Sequence, residues 1–236
     1  MRVVAIVQAR MGSTRLPNKV MKLVGGVPMI ELLLARLSRA REVNEIVVAT
    51  SVDPRNEPLA QHVQALGYQC SRGSENDVLD RYVKAARSAR ADVVIRITGD
   101  CPLVDPVLVD DAVRHFKAVD VDYLCNTSPP SYPDGLDIEV FTLAALERAA
   151  LETKKEFDHE HVTPYLRESG KFRQKSICND EDLSSLRWTV DEPADFEVIT
   201  KVFEYFAPNI HFGWQQVLQL QQTHPNIFQA NKQLIR

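Results

Sequence analysis

The sequence predicts an α/β fold with a mostly parallel central sheet and helices on both faces. Two observations carry this. Apolar β-branched runs alternate four times with amphipathic helical stretches over the first 116 residues, the signature of βαβ units. Those runs are continuous rather than alternating in polarity, as expected of strands buried on both faces. At 236 residues the length suits one domain, 1–236, with approximately 128–182 as an insertion between core strands.

The elements follow in order. Residues 3–7 (VVAIV) are the first strand, and 8–19 a polar loop. Pro28 opens a helix carrying Met29, Ile30, Leu32, Leu33, Leu34 and Leu37, which ends at a basic turn suited to its dipole. Residues 45–50 (EIVVAT) are the second strand. Pro54 interrupts, and a helix over 57–66 is closed by Gly67. A short strand over 68–71 leads to an amphipathic helix over 77–90. Residues 92–98 (DVVIRIT) are the fourth strand, and 105–116 a helix with Pro106 in its first turn, where proline is tolerated. Then the pattern changes. Strands are expected at 122–126, 136–141, 172–178 and 186–190. Helices are expected at 143–152, 159–168, 193–206 and 213–222, and the proline-rich stretch 127–135 is a loop.

Composition narrows the function. Lys plus Arg is 28 and Asp plus Glu is 32, a net charge of −4. That balance gives no general attraction to nucleic acid or an anionic membrane. No apolar run approaches the ~20 residues of a membrane helix, and the N-terminal apolar run is too short for a signal peptide. Cys70, Cys101, Cys125 and Cys178 stand far apart without a C-x-x-C pair. The expectation is free thiols in a reducing cytoplasm, with neither a zinc nor a redox site.

Ligands of open α/β sheets bind beyond the carboxyl ends of the strands, so the loop after the first strand comes first. It packs Arg10, Arg15 and Lys19 around Gly12, Ser13 and Thr14. Small residues let backbone N–H groups turn toward an anion, and arginine offers a fork for phosphate oxygens. A solvated basic turn has the same composition. The string is neither G-x-x-x-x-G-K-[ST] nor G-x-G-x-x-G, so it is not a P-loop or a dinucleotide fingerprint.

Two acids end strands in the same manner: Asp100 in T-G-D-C-P-L and Asp191 in W-T-V-D-E-P. Either could be a helix cap. Together they form a plausible partial shell for Mg²⁺, which takes one or two carboxylates plus phosphate and water. Asp137 and Glu139 share a strand face, either as an exposed edge or as a sugar-hydroxyl pocket. His159 and His161 diverge by about 200° on a helix and make no clean chelate there. Asp120-Val121-Asp122 imitates a glycosyltransferase D-x-D but lies at a strand start, the wrong end of the sheet.

The string V-Q-A-R-M-G-S-T-R-L-P-N-K, continued by Gly26-Val27-Pro28-Met29-Ile30, resembles the opening motif of the cytidylyltransferases that activate acidic sugars. That family includes the CMP-Kdo and CMP-sialic acid synthetases, and the match is strongest to its spore coat polysaccharide biosynthesis protein F-like branch. G-D-C-P-L and V-D-E-P-x-D-F resemble the family's two metal-binding aspartates, and the likeness covers roughly 3–106 and 186–200. One departure is Thr98, where CMP-Kdo synthetases usually carry glutamine.

The resemblance implies a Rossmann-like, GT-A-like three-layer sandwich and a cytoplasmic enzyme of polysaccharide or glycan biosynthesis. It implies transfer of CMP from CTP to an acidic sugar of the 2-keto acid type, with pyrophosphate released and Mg²⁺ as cofactor. Arg10, Lys19, Asp100 and Asp191 are then catalytic, and Asp100 and Asp191 hold the metal. The nucleotide falls to Ala9, Arg10, Met11, Gly12, Ser13, Arg15, Lys19, Arg72, Asp77, Arg81 and Asp100. The acceptor falls to Asp137, Glu139 and His161. Relatives pair through the inserted region, implying a homodimer. Two other readings stand beside this one: a glycosyltransferase of the same general fold using a ready-made nucleotide sugar, and a non-catalytic nucleotide-binding pathway protein.

Overall fold

Strand β1 (Val3–Gln8) runs through the middle of the sheet in the computed structural model, which describes residues 1–234. Its side chains obey the two-residue period of a strand. Val3, Ala5 and Val7 join the apolar core on one face, and Val4 and Ile6 the core on the other. That is why the run reads as unbroken hydrophobicity.

After the loop come a small hairpin, β2 (Leu23–Val24) and β3 (Val27–Pro28), and helix α1 (Met29–Leu37). Then follow β4 (Glu45–Ser51), α2 (Glu57–Ala65), β5 (Gln69–Gly73), α3 (Val78–Ser88), β6 (Val93–Thr98) and α4 (Pro106–Ala118). Asp105 caps α4 by accepting from the Val107 and Leu108 N–H groups at 2.8 and 3.1 Å, with Pro106 where its missing N–H costs nothing.

The second part contains β7 (Tyr123–Cys125), β8 (Glu139–Thr142), α5 (Leu143–Glu152), α6 (Glu156–His161), α7 (Pro164–Glu168) and β9 (Gln174–Ser176). Helices α8 (Pro193–Phe206) and α9 (Trp214–Thr223) close the chain. The sheet order is β5-β4-β1-β6-β8-β7-β9, parallel throughout except at β8, which runs antiparallel to both neighbours. Residues of α1, α2, α4, α8 and α9 fill the core on one face, and those of α3, α5 and α7 the core on the other. The predicted three-layer α/β architecture is therefore the observed one.

Three expected elements differ. Residues 186–190 form no strand: Arg187 makes one isolated bridge to Asp134, and the Val190 N–H reaches the Asp100 carbonyl instead. The helix expected over 159–168 is two short helices, broken at Val162 (φ 72°) just before Pro164. Proline there lacks the N–H a continuous helix needs. The strand over 136–141 begins only at Glu139, because the Asn126 side chain takes the Ile138 N–H and donates to the Leu136 carbonyl.

The topology fixes where a ligand goes. From β1 the chain steps outward through β4 to β5, then returns to place β6 on the other side of β1. The switch point lies between β1 and β6, and open sheets bind ligands at the carboxyl side of such a point.

Candidate active site

The loops leaving β1 and β6 meet there. The Gly99 N–H donates to the Gln8 carbonyl at 2.8 Å. A Cβ on Gly99 would stand 2.9 Å from that same oxygen, so the close approach of the two loops requires glycine. The 8–19 loop folds on itself through Ser13 and Asn18 N–H groups donating to the Met11 carbonyl, and is tied to the body by the Met11 N–H on Asn56. Asn18 takes a left-handed conformation (φ 58°), which asparagine tolerates. The one-turn helix after it starts at Lys19 and turns that side chain inward.

Lys19 is the hub. Its ammonium donates to Asp100 at 3.0 Å, to Asp191 at 2.8 Å and to the Val190 carbonyl at 2.8 Å. Residues separated by 172 positions thus meet at one nitrogen. Burial disfavours the ammonium, but the charge of Asp100 and the hydrogen bond to Asp191 outweigh it, and the Lys19 pKa lies above its ordinary value. Burial likewise works against ionised Asp100, but the Lys19 charge and a hydrogen bond from Thr98 prevail, holding its carboxyl below the usual range. Arg15 reaches Asp191 at 3.2 Å and Glu192 at 3.3 Å, and Arg10 reaches Glu75 at 3.1 Å.

A cavity of about 350 Å³ opens over this cluster. Among the predicted residues, Ala9, Arg10, Gly12, Ser13, Arg15, Lys19, Arg81, Asp100, His161 and Asp191 line it. Met11 sits behind the loop, packed against the core. Asp77 caps α3 by accepting from the Asp80 N–H at 2.8 Å and faces a neighbouring cavity, 3.0 Å from His159.

Arg72 is not brought to the 350 Å³ cavity: its guanidinium turns back to Glu57 and to the carbonyls of Ser51 and Asp53. It lies on β5 beside β4, and its nearest counter-charge is on α2. For Glu139 the exposed-edge reading fails. It is buried, 3% exposed, and already accepts from Arg96 and the Tyr123 hydroxyl, so it is an internal counter-ion and not an exposed edge. Asp137 and Glu139 line a third cavity with Arg96, Thr98, Thr127, Pro130 and Arg167. Asp120 and Asp122 clasp Arg173 at the start of β7, away from the cavity, as their position implied.

Two residues escaped sequence reading. Asp195, fully buried, accepts from the backbone N–H groups of Asp191 and Glu192 at 3.0 and 2.9 Å. Arg187 clamps it with two bonds of 2.9 Å, and Asn231 adds a third donor. Burial opposes its charge, yet these donors hold its carboxyl below the ordinary range. Asp195 therefore sets the backbone from which Asp191 projects. The D-E-P-x-D spacing carried a signal for it, since an acid at the third helical position caps backward. Arg187 carried none: it stood in a stretch read as a strand, and besides Asp195, eight residues on, it reaches Asp134, 53 residues away. Gly135 (φ 110°) lets the 186–190 segment pass: a Cβ would meet the Trp188–Thr189 peptide at 2.6 Å.

A basic loop at the switch point, with two carboxylates gathered opposite it, defines a nucleotidyltransferase-type α/β enzyme. The cytidylyltransferase family model matches residues 4–233, and the chain belongs to that family. It is 35% identical to an uncharacterized protein of Methanocaldococcus jannaschii over 98% of this chain and 95% of that one. It is 31% identical to the spore coat polysaccharide biosynthesis protein SpsF of Bacillus subtilis, over 94% of each chain. A 3-deoxy-manno-octulosonate cytidylyltransferase of Geobacter sulfurreducens is 36% identical over 116 residues, 48% of this chain and 44% of that one. A cytidylyltransferase structure from Leptospira borgpetersenii superposes with a TM-score of 0.93 at 31% identity, covering 97% of both chains. The protein is a CTP-dependent nucleotidyltransferase.

Proposed function

We propose that this enzyme transfers CMP from CTP to an acidic sugar of the 2-keto acid type, in surface polysaccharide or glycan biosynthesis. The observation that carries the reading is the Lys19 ammonium within hydrogen-bond reach of both Asp100 and Asp191, in a cavity that also holds Arg10 and Arg15.

The acceptor oxygen attacks the α-phosphorus; a new P–O bond forms there and the bond to pyrophosphate breaks. Such transfer needs positioning and charge neutralisation rather than a protein nucleophile. Arg10, Arg15 and Lys19 bind the triphosphate oxygens and stabilise the charge gathering on the leaving pyrophosphate. Ala9, Gly12 and Ser13 bring small side chains and backbone to the phosphates, and Arg81 faces the nucleoside. Asp137, on the neighbouring cavity, and His161, on the wall of the nucleotide cavity, are assigned to the acceptor.

Asp100 and Asp191 fit a resident Mg²⁺. Their oxygens converge within 3.0 Å of one point, where a positive charge already sits. Among the described residues no group of three or more His, Cys, Asp or Glu side chains gathers. Phosphate and water oxygens would therefore complete the shell, as is usual for Mg²⁺. When bound, the ion supplies positive charge to the phosphate oxygens.

The chain reads as one domain whose 128–182 region pairs two copies in the cytoplasm. No helix of the described residues is long and apolar enough to cross a membrane, and the four cysteines are free. The test is pyrophosphate release from CTP across a panel of acidic sugars, with thermal shifts against CTP, ATP, GTP and UTP in Mg²⁺. Pyrophosphate release with CTP leading the shifts is expected. Equal shifts for the four nucleotides remove the cytidine claim. CTP binding without turnover on any acceptor leaves a binding protein.

A further inference from the structure

The cavity beyond Thr98, about 220 Å³ in volume, carries an inference of its own. Thr98 lines both this cavity and the nucleotide cavity, so the two spaces adjoin next to Asp100. The smaller one is mostly polar, with Arg96, Thr98, Thr127, Asp137, Glu139 and Arg167 on its walls beside a single apolar residue, Pro130.

Its two arginines are in different states. Arg96 is locked by Glu139, which is itself held by Tyr123. Arg167, on α7, is one-third exposed, and its nearest carboxylate is Glu139 at 3.8 Å. That distance is an ion pair but too long for a hydrogen bond. Among the described residues the Arg167 guanidinium makes no hydrogen bond, although it carries five N–H donors. Every cation of the nucleotide loop, by contrast, lies within 3.3 Å of a carboxylate oxygen. Two further polar atoms on these walls, Arg96 Nε and Thr127 Oγ1, are buried without a partner. Buried polar groups are paired in most folded proteins, so unpaired ones in a cavity point to a ligand.

We infer that Arg167 is the specificity-determining residue of the acceptor cavity, reading an anionic substituent, carboxylate or phosphate, on the acceptor. This rests on the reading of the enzyme as an acidic-sugar cytidylyltransferase. Glu139 is then a positioning residue: it holds the Arg96 guanidinium in the wall and stands off Arg167 at ion-pair distance, leaving the fork open for an incoming oxyanion. Arginine suits that task because its fork matches an oxyanion in two bonds, which lysine does not.

The experiment is steady-state pyrophosphate release by the full chain with CTP and Mg²⁺. The acceptor arms are Kdo, N-acetylneuraminate, their methyl esters, and sugar 1-phosphates. Arg167→Gln should raise the KM of the preferred anionic acceptor by about ten- to a hundredfold, the loss of a charge-assisted bond. The KM of CTP should move less than about twofold. Discrimination between acid and methyl ester should shrink by the same factor, and Arg167→Lys should recover part of it. Preference among the wild-type arms for a carboxylate or a phosphate names the source of the anion. An unchanged acceptor KM in Arg167→Gln, or a wild-type enzyme that takes the esters as readily as the acids, overturns the inference. If no arm turns over, the proposed function fails separately. Calorimetric titration of Kdo and N-acetylneuraminate into the CTP–Mg²⁺ mixture then decides this one. Binding that Arg167→Gln abolishes supports it, and wild-type indifference to both acids sinks it.

Discussion

In the nucleotide cavity the three loop cations stand against carboxylates: Arg10 against Glu75, Arg15 against Asp191 and Glu192, and Lys19 against Asp100 and Asp191. In the neighbouring cavity Arg167 has only a 3.8 Å approach to Glu139. The first arrangement is charge-balanced before a nucleotide arrives, so binding exchanges one set of ionic partners for another and the loop holds its shape meanwhile. The second leaves donors open. The contrast follows chain architecture. The nucleotide side is built on the carboxyl ends of adjacent parallel strands, whereas the acceptor side collects residues 96, 127, 137, 139 and 167 from the antiparallel β6–β8 pair, the loop before β8 and a short helix.

Four variants and one titration sharpen or break that contrast. Asp100→Asn should have the largest effect. Pyrophosphate release should fall by about 10²–10³-fold, the scale of removing one electrostatic group from a reacting centre. The fold should persist, checked by circular dichroism and the thermal midpoint; a fully active variant would end the metal assignment. Lys19→Met should follow, with turnover down about 10²-fold. Without its cation the Asp100 carboxyl should titrate at higher pH, which carboxyl-carbon NMR can follow. If the Asp100 titration does not move, the hub is an accident of packing.

Asp195→Ala acts on support rather than chemistry. It strands Arg187, frees two backbone N–H groups and should cost about 3 kcal/mol in chemical denaturation, the range for breaking a buried pair. Turnover should drop in the surviving folded enzyme as Asp191 loses its fixed backbone. A stability change near zero would mean the clamp is ornamental.

The pH dependence is smaller. The Asp100 pKa is depressed, so its contribution to stability is complete above the ordinary aspartate value of about 3.9. It fades only as pH falls through the lower folded value. The Lys19 pKa is raised, so its contribution is complete below about 10.4 and fades as pH rises through the higher folded value. Denaturation midpoints of wild type and Lys19→Met should therefore keep a constant gap across neutral pH. A gap that closes between pH 6 and 8, on the order of the histidine range, would implicate another group.

Arg72→Ala should do least. The pair with Glu57 is near the surface, where such bridges contribute about 0–1 kcal/mol, and the KM of CTP should stay within about twofold. A tenfold rise would put Arg72 back in the nucleotide site and require the β5 edge to move on binding.

Much of this molecule could be read before any coordinates. The runs 3–7, 45–50 and 92–98 specify buried strands because both faces of each are apolar, and local sequence is enough to say so. The basic loop was legible for a related reason: Arg10, Arg15 and Lys19 fall within one ten-residue stretch just after a strand end, and short range leaves their side chains few other places to go. The start of α4 was legible from Pro106, whose place is the first turn of a helix. The second part resisted. Residues 186–190 carry strand-like composition, but their hydrogen bonds go to Asp134 and Asp100, more than fifty residues away, and no local period encodes that. Arg72 misled because its counter-charge, Glu57, sits on a neighbouring helix.

The sequence by itself determined the fold class and the clustering of Arg10, Arg15 and Lys19 after the first strand, since each depends on residues close together in the chain. Only the tertiary structure decided that Lys19 joins the two aspartates, that Asp195 and Arg187 brace one of them, and that Glu139 serves Arg96. The Lys19–Asp191 and Arg96–Glu139 pairs are encounters between residues 172 and 43 positions apart; the Arg187–Asp195 pair spans only eight, but its segment is held by bonds to distant Asp134 and Asp100. Their geometry is settled by how strands are ordered in the sheet and how buried charges find partners, and neither can be read from the order of residues along a line.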